Sequence, residues 1–560
     1  MATPEFVCAN WNPDSSSTDC KKVSRYTCKN CSLIAYCGPN CQKSHWALHK
    51  TDCKSSLGKE TWTPDWVLEN RKPAFVQGGI GVAFGGKKYL WGNIPSLDVL
   101  QLGLNEGNDY RGQLNLLFAA SGDLRNVART IAVLPSSYNQ PINITMNDLD
   151  PDIVARNVIM LLIALTVDNT DEAADCIIHI WYSALIRKSD LDILQQRIRP
   201  LIESVCEKIE NKAPSSLLGK TWTFGQRSLR LVLEKSSWDN LLSYMDIPAG
   251  LTMERANQIR TAVTLAESRK DYRDRNLLLQ TTPSRRIAKN RYWADGLLLP
   301  FGSPRLDFQE PNPTFFQTAD TWPLLDNADP LNGWSLKEVE SSLSGPASAD
   351  IYGKLFYYIR AEIRAFLLRL SGLEVSFRLF QVNAADLPDR LGRSSFSRIE
   401  VSNISDGGYL GIHRIVFSMV PLLQGPLVNP HATLITLFMN SVDETMTNQD
   451  QIASITPNSP ATKRLLKYLK PTNNGMTMNP SSPEIIKFSM ARDTVSTYDH
   501  IFDRYTKNHK FSETAQLKLR PGQPGAQEEF DRLLSGGVSG KERYVEWKRI
   551  STNEDERKPS

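Results

Sequence analysis

Apolar residues in this chain cluster into short runs whose length and period separate strands from helices. Residues 114–120 read LNLLFAA, a nearly continuous apolar run of the kind that a strand buried on both faces of a parallel sheet requires. Ser121-Gly122-Asp123 follows, and then Leu124, Val127, Ala128 and Ile131 recur at helical spacing. Ile142, Ile144 and Met146 alternate in a second strand that ends in Asn147-Asp148-Leu149-Asp150. Asp150 is a natural helix N-cap and Pro151 a natural first helical residue. The helix they open carries Ile153, Val154, Asn157, Val158, Leu161, Leu162 and Leu165 along one face. The pattern returns late, with strands predicted over 374–382, 396–403 and 432–439, the NAADLP segment (383–388) after the first of these, and a helical stretch over 411–423.

Strand, loop, helix, strand, acid, helix is half of a nucleotide-type α/β fold. Five strands separated by helices predict one doubly wound, mostly parallel sheet with right-handed crossovers. Between its halves, residues 171–370 read as a large, mainly helical insertion, with Leu355, Tyr358, Ile359, Ile363, Phe366 and Leu370 on one helical face. Residues 265–335 are rich in Pro, Arg and Asp and are expected to form a long loop or partly disordered stretch. The expected organisation is a cysteine-rich segment over 1–56, the first half of the α/β domain over 57–170, the insertion over 171–370, the second half over 371–445, and a C-terminal extension with a polar tail over 446–560.

Composition changes this picture little. The 560 residues are 41% hydrophobic and 22% charged, so wholesale disorder is not expected. A net charge of +4 on 65 basic and 61 acidic residues, without a long single-sign block, leaves no footprint for nucleic acid, which is not expected as a partner. The longest apolar run, 158–167, has about half the length needed to cross a bilayer, so no membrane span is expected. The opening MATPEFVCAN lacks the basic and apolar regions of a secretory signal, which points to the cytoplasm, the nucleus or both.

The cysteines carry the clearest chemistry. Seven of the nine lie in the first 53 residues, and from Cys8 the donors run Cys-x11-Cys-x7-Cys-x2-Cys-x5-Cys-x3-Cys-x7-His-x3-Cys through Cys20, Cys28, Cys31, Cys37, Cys41, His49 and Cys53. Eight thiol or imidazole donors suit two tetrahedral zinc ions, and the short spacings let paired ligands reach one ion from a single turn. An odd cysteine count and no export signal argue against a disulfide framework.

YCGPNCQKSHWALHKTDC, residues 36–53, resembles the second half of a MYND zinc finger. In that family the two ions are cross-braced, so the resemblance assigns Cys8, Cys20, Cys37 and Cys41 to one zinc and Cys28, Cys31, His49 and Cys53 to the other, leaving His45 out. Most MYND fingers begin with Cys-x2-Cys, whereas eleven residues rich in Ser and Asp separate Cys8 from Cys20 here; a surface loop can carry them at small entropic cost. Fingers of this family mostly bind proline-rich peptides, and by resemblance Gln42 and Trp46 line that groove, although Trp46 could equally pack the small core. Residues 1–60 carry +3, and seven thiolates with two zinc ions bring the finger near neutrality, which suits a peptide better than phosphates. The protein partner expected is therefore a peptide segment.

WGNIPSLDVL, FAASGDLRNVARTI, NDLDPDIVARNV, FSRIEVSNISD and NPHATLITLFMN together resemble a fungal family of MYND-finger proteins, whose main domain of unknown function is also found in dynein axonemal assembly factors. The order of acids after strands also resembles class I S-adenosylmethionine-dependent methyltransferases. That resemblance implies a cofactor site at Gly122 and Asp123, Asp148 (or Asp150) and Asp386. In place of a turn with two or three glycines the chain has Ala119-Ala120-Ser121-Gly122-Asp123, whose side chains would crowd a cofactor. Asp123 and Asp150 also have ordinary capping roles. The reading is a methyltransferase-like fold with a degraded cofactor motif, no catalytic set, and a role as an interaction adaptor or regulator; the alternative is an active methyltransferase that docks its substrate through the finger.

Overall fold

In a computed structural model of the chain, residues 6–12, 19–78, 82–280, 282–456, 459–465, 479, 481–496, 498–511, 517–519 and 540–549 are described. Most of the insertion between Cys8 and Cys20 and the closing DERKPS lie outside them.

Among the described residues the strands are β1 (Tyr26–Thr27), β2 (Ala35–Tyr36), β3 (Leu114–Ala119), β4 (Ile142–Asp148), β5 (Leu185–Arg187), β6 (Leu217–Phe224), β7 (Arg227–Glu234), β8 (Phe308–Pro311), β9 (Val375–Gln381), β10 (Arg398–Glu400), β11 (Thr433–Phe438), β12 (Leu517–Leu519) and β13 (Arg543–Arg549). Nine form one sheet in the order β12-β13-β11-β10-β3-β4-β9-β7-β6. From β11 to β7 every neighbouring pair is parallel, and antiparallel pairs close both sides. With the β6–β7 hairpin set aside, the parallel strands read 3-2-1-4-5 in chain order, the doubly wound, methyltransferase-like arrangement expected.

The helix Pro151–Thr166 is capped as its sequence requires, the Asp150 side chain accepting from the Asp152 N–H. It runs along β4, β9 and β7, and every residue from Ile153 to Leu165 is buried, which explains its lack of a polar face. Buried Arg156 compensates its charge by donating to the carbonyls of Ile180, Trp181 and Thr314 while lying over the Phe315 ring. Helices Arg125–Ala132, Thr170–Tyr182 and Ile351–Ser371 complete this layer. On the other face, helix Ile412–Met419 covers Leu117, Ile399 and Leu434, with Trp547 closing the cluster.

Two expectations about organisation change, and a third gains detail. The insertion over 171–370 is mainly helical, and its β6–β7 hairpin also extends the main sheet, Leu229, Leu231 and Leu233 alternating on the buried face. The stretch 265–335 is not a loop, since it forms helices Lys270–Leu278 and Pro283–Asp295 and strand β8. Its charges are used internally, in Arg71–Asp271, Arg269–Asp326, Lys289–Asp329 and Arg305–Asp295 pairs, so a composition that reads as disordered is held by complementary partners. The extension after residue 446 supplies β13, inserted between β11 and β12, and so completes the sheet domain.

Candidate metal centre

The cysteine-rich segment is built around β1, β2 and two short helices, Pro39–Ser44 and Trp46–Cys53. Cys37 and Cys41 flank the start of the first helix, and His49 and Cys53 lie one turn apart on the second, so each pair projects to one side. Cys28 and Cys31 bracket a tight turn in which the Ser32 N–H donates to the Cys28 carbonyl at 2.8 Å. Ser32 there takes a left-handed φ of 54°.

These elements gather the donors into two sets, Cys8, Cys20, Cys37, Cys41 and Cys28, Cys31, His49, Cys53, and within each set all ligand atoms lie inside 4.8 Å of one another. The edge lengths test the metal. Bonds of about 2.3 Å to sulfur and 2.05 Å to nitrogen in a tetrahedron demand edges of about 3.8 Å between sulfurs and about 3.6 Å from sulfur to nitrogen. Cys20–Cys37 and Cys28–Cys53 are 3.7 Å apart, Cys37–Cys41 3.4 Å, and Cys31 Sγ to His49 Nε2 3.5 Å. All nine cysteines are unbridged. The donor sets therefore fit two zinc ions, interleaved along the chain as a cross-brace, and Cys8 joins the first despite its long spacing. His45 stands apart, its Nδ1 3.0 Å from the Tyr36 hydroxyl. The Asn30 amide donates to the Cys53 carbonyl at 2.8 Å and to its Sγ at 3.2 Å, supporting the thiolate as an outer partner.

The finger is not a free module. Ala9 and Ile34 close on Gly302, the Ala349 N–H donates to the Ser32 carbonyl at 3.0 Å, and Phe6 meets Tyr357 edge-on. Arg291 pairs with Asp52, and Arg286 donates to the carbonyls of Leu57 and Lys59. Cys28, Cys31, Leu33, Tyr36 and Cys53 belong to the same buried cluster as the sheet domain.

Away from that contact the finger presents a groove of about 530 Å³ lined by Tyr26, Lys29, Pro39, Gln42, Trp46 and Lys54, among others, with no acidic residue among the described ones. Gln42 and Trp46, singled out by resemblance, thus share one groove. Trp46 is 36% exposed with its ring 5.9 Å from that of His49, and Tyr26 is 60% exposed. Tyr26 and Pro39 escaped sequence reasoning because a lone Tyr and a first-turn Pro have ordinary structural explanations.

The positions implied for a nucleotide cofactor fall at the carboxyl ends of β3, β4 and β9, beside the switch between β3 and β10. Gly122 and Asp148 meet, the Gly122 N–H donating to Asp148 Oδ2 at 3.0 Å, while Oδ1 accepts from the Asp150 N–H. Asp123 turns inward: it accepts from the Arg125 Nε at 2.7 and 2.9 Å, the Gly92 N–H and the Trp181 indole. Arg125 continues to the carbonyls of Ile94 and Gly333, so the segment around Gly92 is strapped over the crevice. Asp386 stands exposed on the turn Ala384–Asp389. The acid beside the glycine turn is thus engaged by the chain itself, and the acid implied for the ribose already accepts one backbone N–H on each oxygen.

On the same strand ends, Glu400 is buried with Oε2 unpartnered and Oε1 accepting from the Ser402 N–H. Burial pushes its carboxyl from 4.5 up to about 7, opposed by that N–H, by Arg125 and by the Asn126 side chain. The folded state therefore holds a proton that the unfolded chain releases, and the stability tied to Glu400 is present below about pH 4.5 and lost as pH rises through 7. Glu400→Gln is expected to be more stable than wild type at about pH 8 by on the order of 3 kcal/mol, the gap closing toward about pH 4. Urea midpoints at both pH values check this; a gap that does not change with pH contradicts it.

With the geometry set, comparison with known proteins gives three findings. The MYND finger family matches residues 17–53, and the family described as "Domain of unknown function (DUF4470)" matches residues 90–186. The histone-lysine N-methyltransferase ASHR1 of Arabidopsis thaliana is 36% identical over 58 residues, covering 10% of this chain and 12% of that protein. No solved structure matches. A MYND-type zinc finger and a DUF4470 domain are thus both present in this chain.

Proposed function

We propose that this protein is an adaptor inside the cell, cytoplasmic, nuclear or both, whose zinc finger holds a proline-rich peptide of a partner protein. The observation that carries this is the groove in which Gln42, Trp46, Tyr26 and Pro39 converge. A half-exposed indole beside a tyrosine offers flat faces to prolyl rings, and the Gln42 amide can bond to the carbonyls of an extended peptide that forms no internal hydrogen bonds. Unbridged cysteines in tetrahedral sets agree with a reducing compartment. Among the described residues no helix is long and apolar enough to cross a membrane.

A proline-rich peptide array probed with the full-length chain tests this reading. Trp46→Ala and Gln42→Ala are expected to weaken the best peptide roughly tenfold or more while both zinc ions stay bound. Binding to no such peptide, or undiminished binding by Trp46→Ala, would remove the reading.

The alternative, a methyltransferase that docks its substrate through the finger, draws on the strand order and on the short match to a histone-lysine N-methyltransferase. The engaged carboxylates of Asp123 and Asp148 weigh against it. We further read the main domain as the one shared by fungal MYND-finger proteins and dynein axonemal assembly factors. Support is the DUF4470 match, which spans the WGNIPSLDVL, FAASGDLRNVARTI and NDLDPDIVARNV blocks.

A further inference from the structure

Parallel sheets of this kind are normally apolar on both faces, because helices cover each. One face here changes character half-way across. Reading a single register row from β11 toward β6 gives Leu434, Ile399, Leu117, Thr145, Arg378, Arg230 and Thr221. The next row gives Asn115, Asn143, Ser376, Ser228 and Thr223. The apolar half lies under helix Ile412–Met419, whereas the polar half floors an open groove of about 430 Å³ walled by the turn carrying Leu391, Gly392 and Ser395.

The floor is ordered by its own hydrogen bonds: the Asn143 amide donates to Asn115 Oδ1 at 2.8 Å, the Asn115 amide to the Ser395 carbonyl at 2.9 Å, and Ser228 to Ser376 at 3.1 Å. On it Arg378 and Arg230 stand directly opposite each other on adjacent strands, both exposed. Like charges in that position destabilise a sheet. Among the described residues no acidic one lines the groove to offset them, and Arg230 donates to the Thr221 hydroxyl at 3.3 Å. Several other arginines near the surface are paired with acids, as in Arg71–Asp271, Arg129–Glu362 and Arg360–Asp175. Helix packing alone gives no reason for two opposed guanidiniums over a bed of hydroxyls and amides; an anion does, since two guanidinium forks and neutral donors match the oxygens of a phosphate.

We propose that this groove binds a phosphate monoester, with the phosphate held between Arg230 and Arg378 and its remaining oxygens met by the hydroxyls and amides of the floor. The site is independent of the zinc finger and of the peptide groove. Inorganic phosphate titrated calorimetrically into the full-length, zinc-loaded chain tests it, beside glycerol phosphate, a phosphoserine peptide and neutral glycerol. Saturable one-to-one binding of the phosphates and none of glycerol is expected, with Arg378→Gln and Arg230→Gln each weakening it roughly tenfold or more. Both variants should melt no lower than wild type, because each removes the like-charge contact, so lost binding is not lost folding. Arg255→Gln, on an exposed residue paired with Asp320, should leave binding unchanged. A phosphoserine peptide that binds better than glycerol phosphate identifies a phosphorylated protein as the source, and equal binding identifies a small organic phosphate. No saturable heat at millimolar phosphate, or an equal loss in Arg255→Gln, overturns the proposal.

Discussion

Replacing Cys37 by alanine is expected to lower the metal content from two zinc ions per chain to one or none, and to unfold the finger. Cys37 lies 3.7 Å from Cys20 and 3.4 Å from Cys41, so its loss opens one face of the first tetrahedron. A structural zinc contributes on the order of 10 kcal/mol of apparent folding free energy, far more than the few side chains enclosed by the finger can replace. The two centres should differ in how far the damage spreads. Cys28, Cys31 and Cys53 are at most 5% exposed and lie in the core shared with the sheet domain, whereas in the first set only Cys8 is buried there and Cys20, Cys37 and Cys41 are partly buried at its margin. Cys53→Ala should therefore lower the melting temperature of the whole chain, and Cys37→Ala should mainly make residues before 60 sensitive to protease. Metal analysis with limited proteolysis checks both. Retention of two ions by either variant would contradict the ligand assignment, and identical proteolysis of the two would contradict the shared core.

Removing the Arg125 side chain is expected to cost about 3–5 kcal/mol of stability, read as a fall in the urea midpoint. The guanidinium is buried against Asp123 and donates to two carbonyls from segments distant in sequence, at Ile94 and Gly333. Arg125→Ala leaves the Asp123 carboxylate without its countercharge, and the buried Gly333 carbonyl and the part-buried Ile94 carbonyl without this donor. Arg125→Lys should recover little, because a single ammonium cannot span the same three acceptors. A loss near 1 kcal/mol would mean that water enters and replaces the side chain, and the strap over the crevice would then be loose.

The fold was legible where local chemistry and burial agree. The strand at 114–119, the Asp150-Pro151 helix start and the late strands are each read from a period or a cap. Ligand count and spacing point to two zinc ions, and the resemblance to a MYND finger divides the eight donors into the two sets that the structure gathers, with the long gap after Cys8 absorbed as an insertion. What escaped depends on partners far apart in sequence. The β6–β7 hairpin alternates like any surface strand pair, and only its register with β9 places it in the main sheet. The charged stretch 265–335 folds because Asp271 meets Arg71 and Arg269 meets Asp326, pairings that no window of sequence displays. At the implied cofactor positions the residue types suggested a ligand, but Arg125, two positions beyond Asp123, is what the carboxylate holds.

Strand β13 lies between β11 and β12 with Trp547 sealed in the same core cluster as helix Ile412–Met419, so the free side of β11 is covered by a piece of chain far downstream of it. During translation the growing protein must hold β11 as a raw, hydrogen-bond-hungry margin until residues 543–549 emerge. A chain terminated prematurely would keep that margin, which makes nonsense and frameshift products natural clients of chaperones and natural seeds for strand-to-strand clumping.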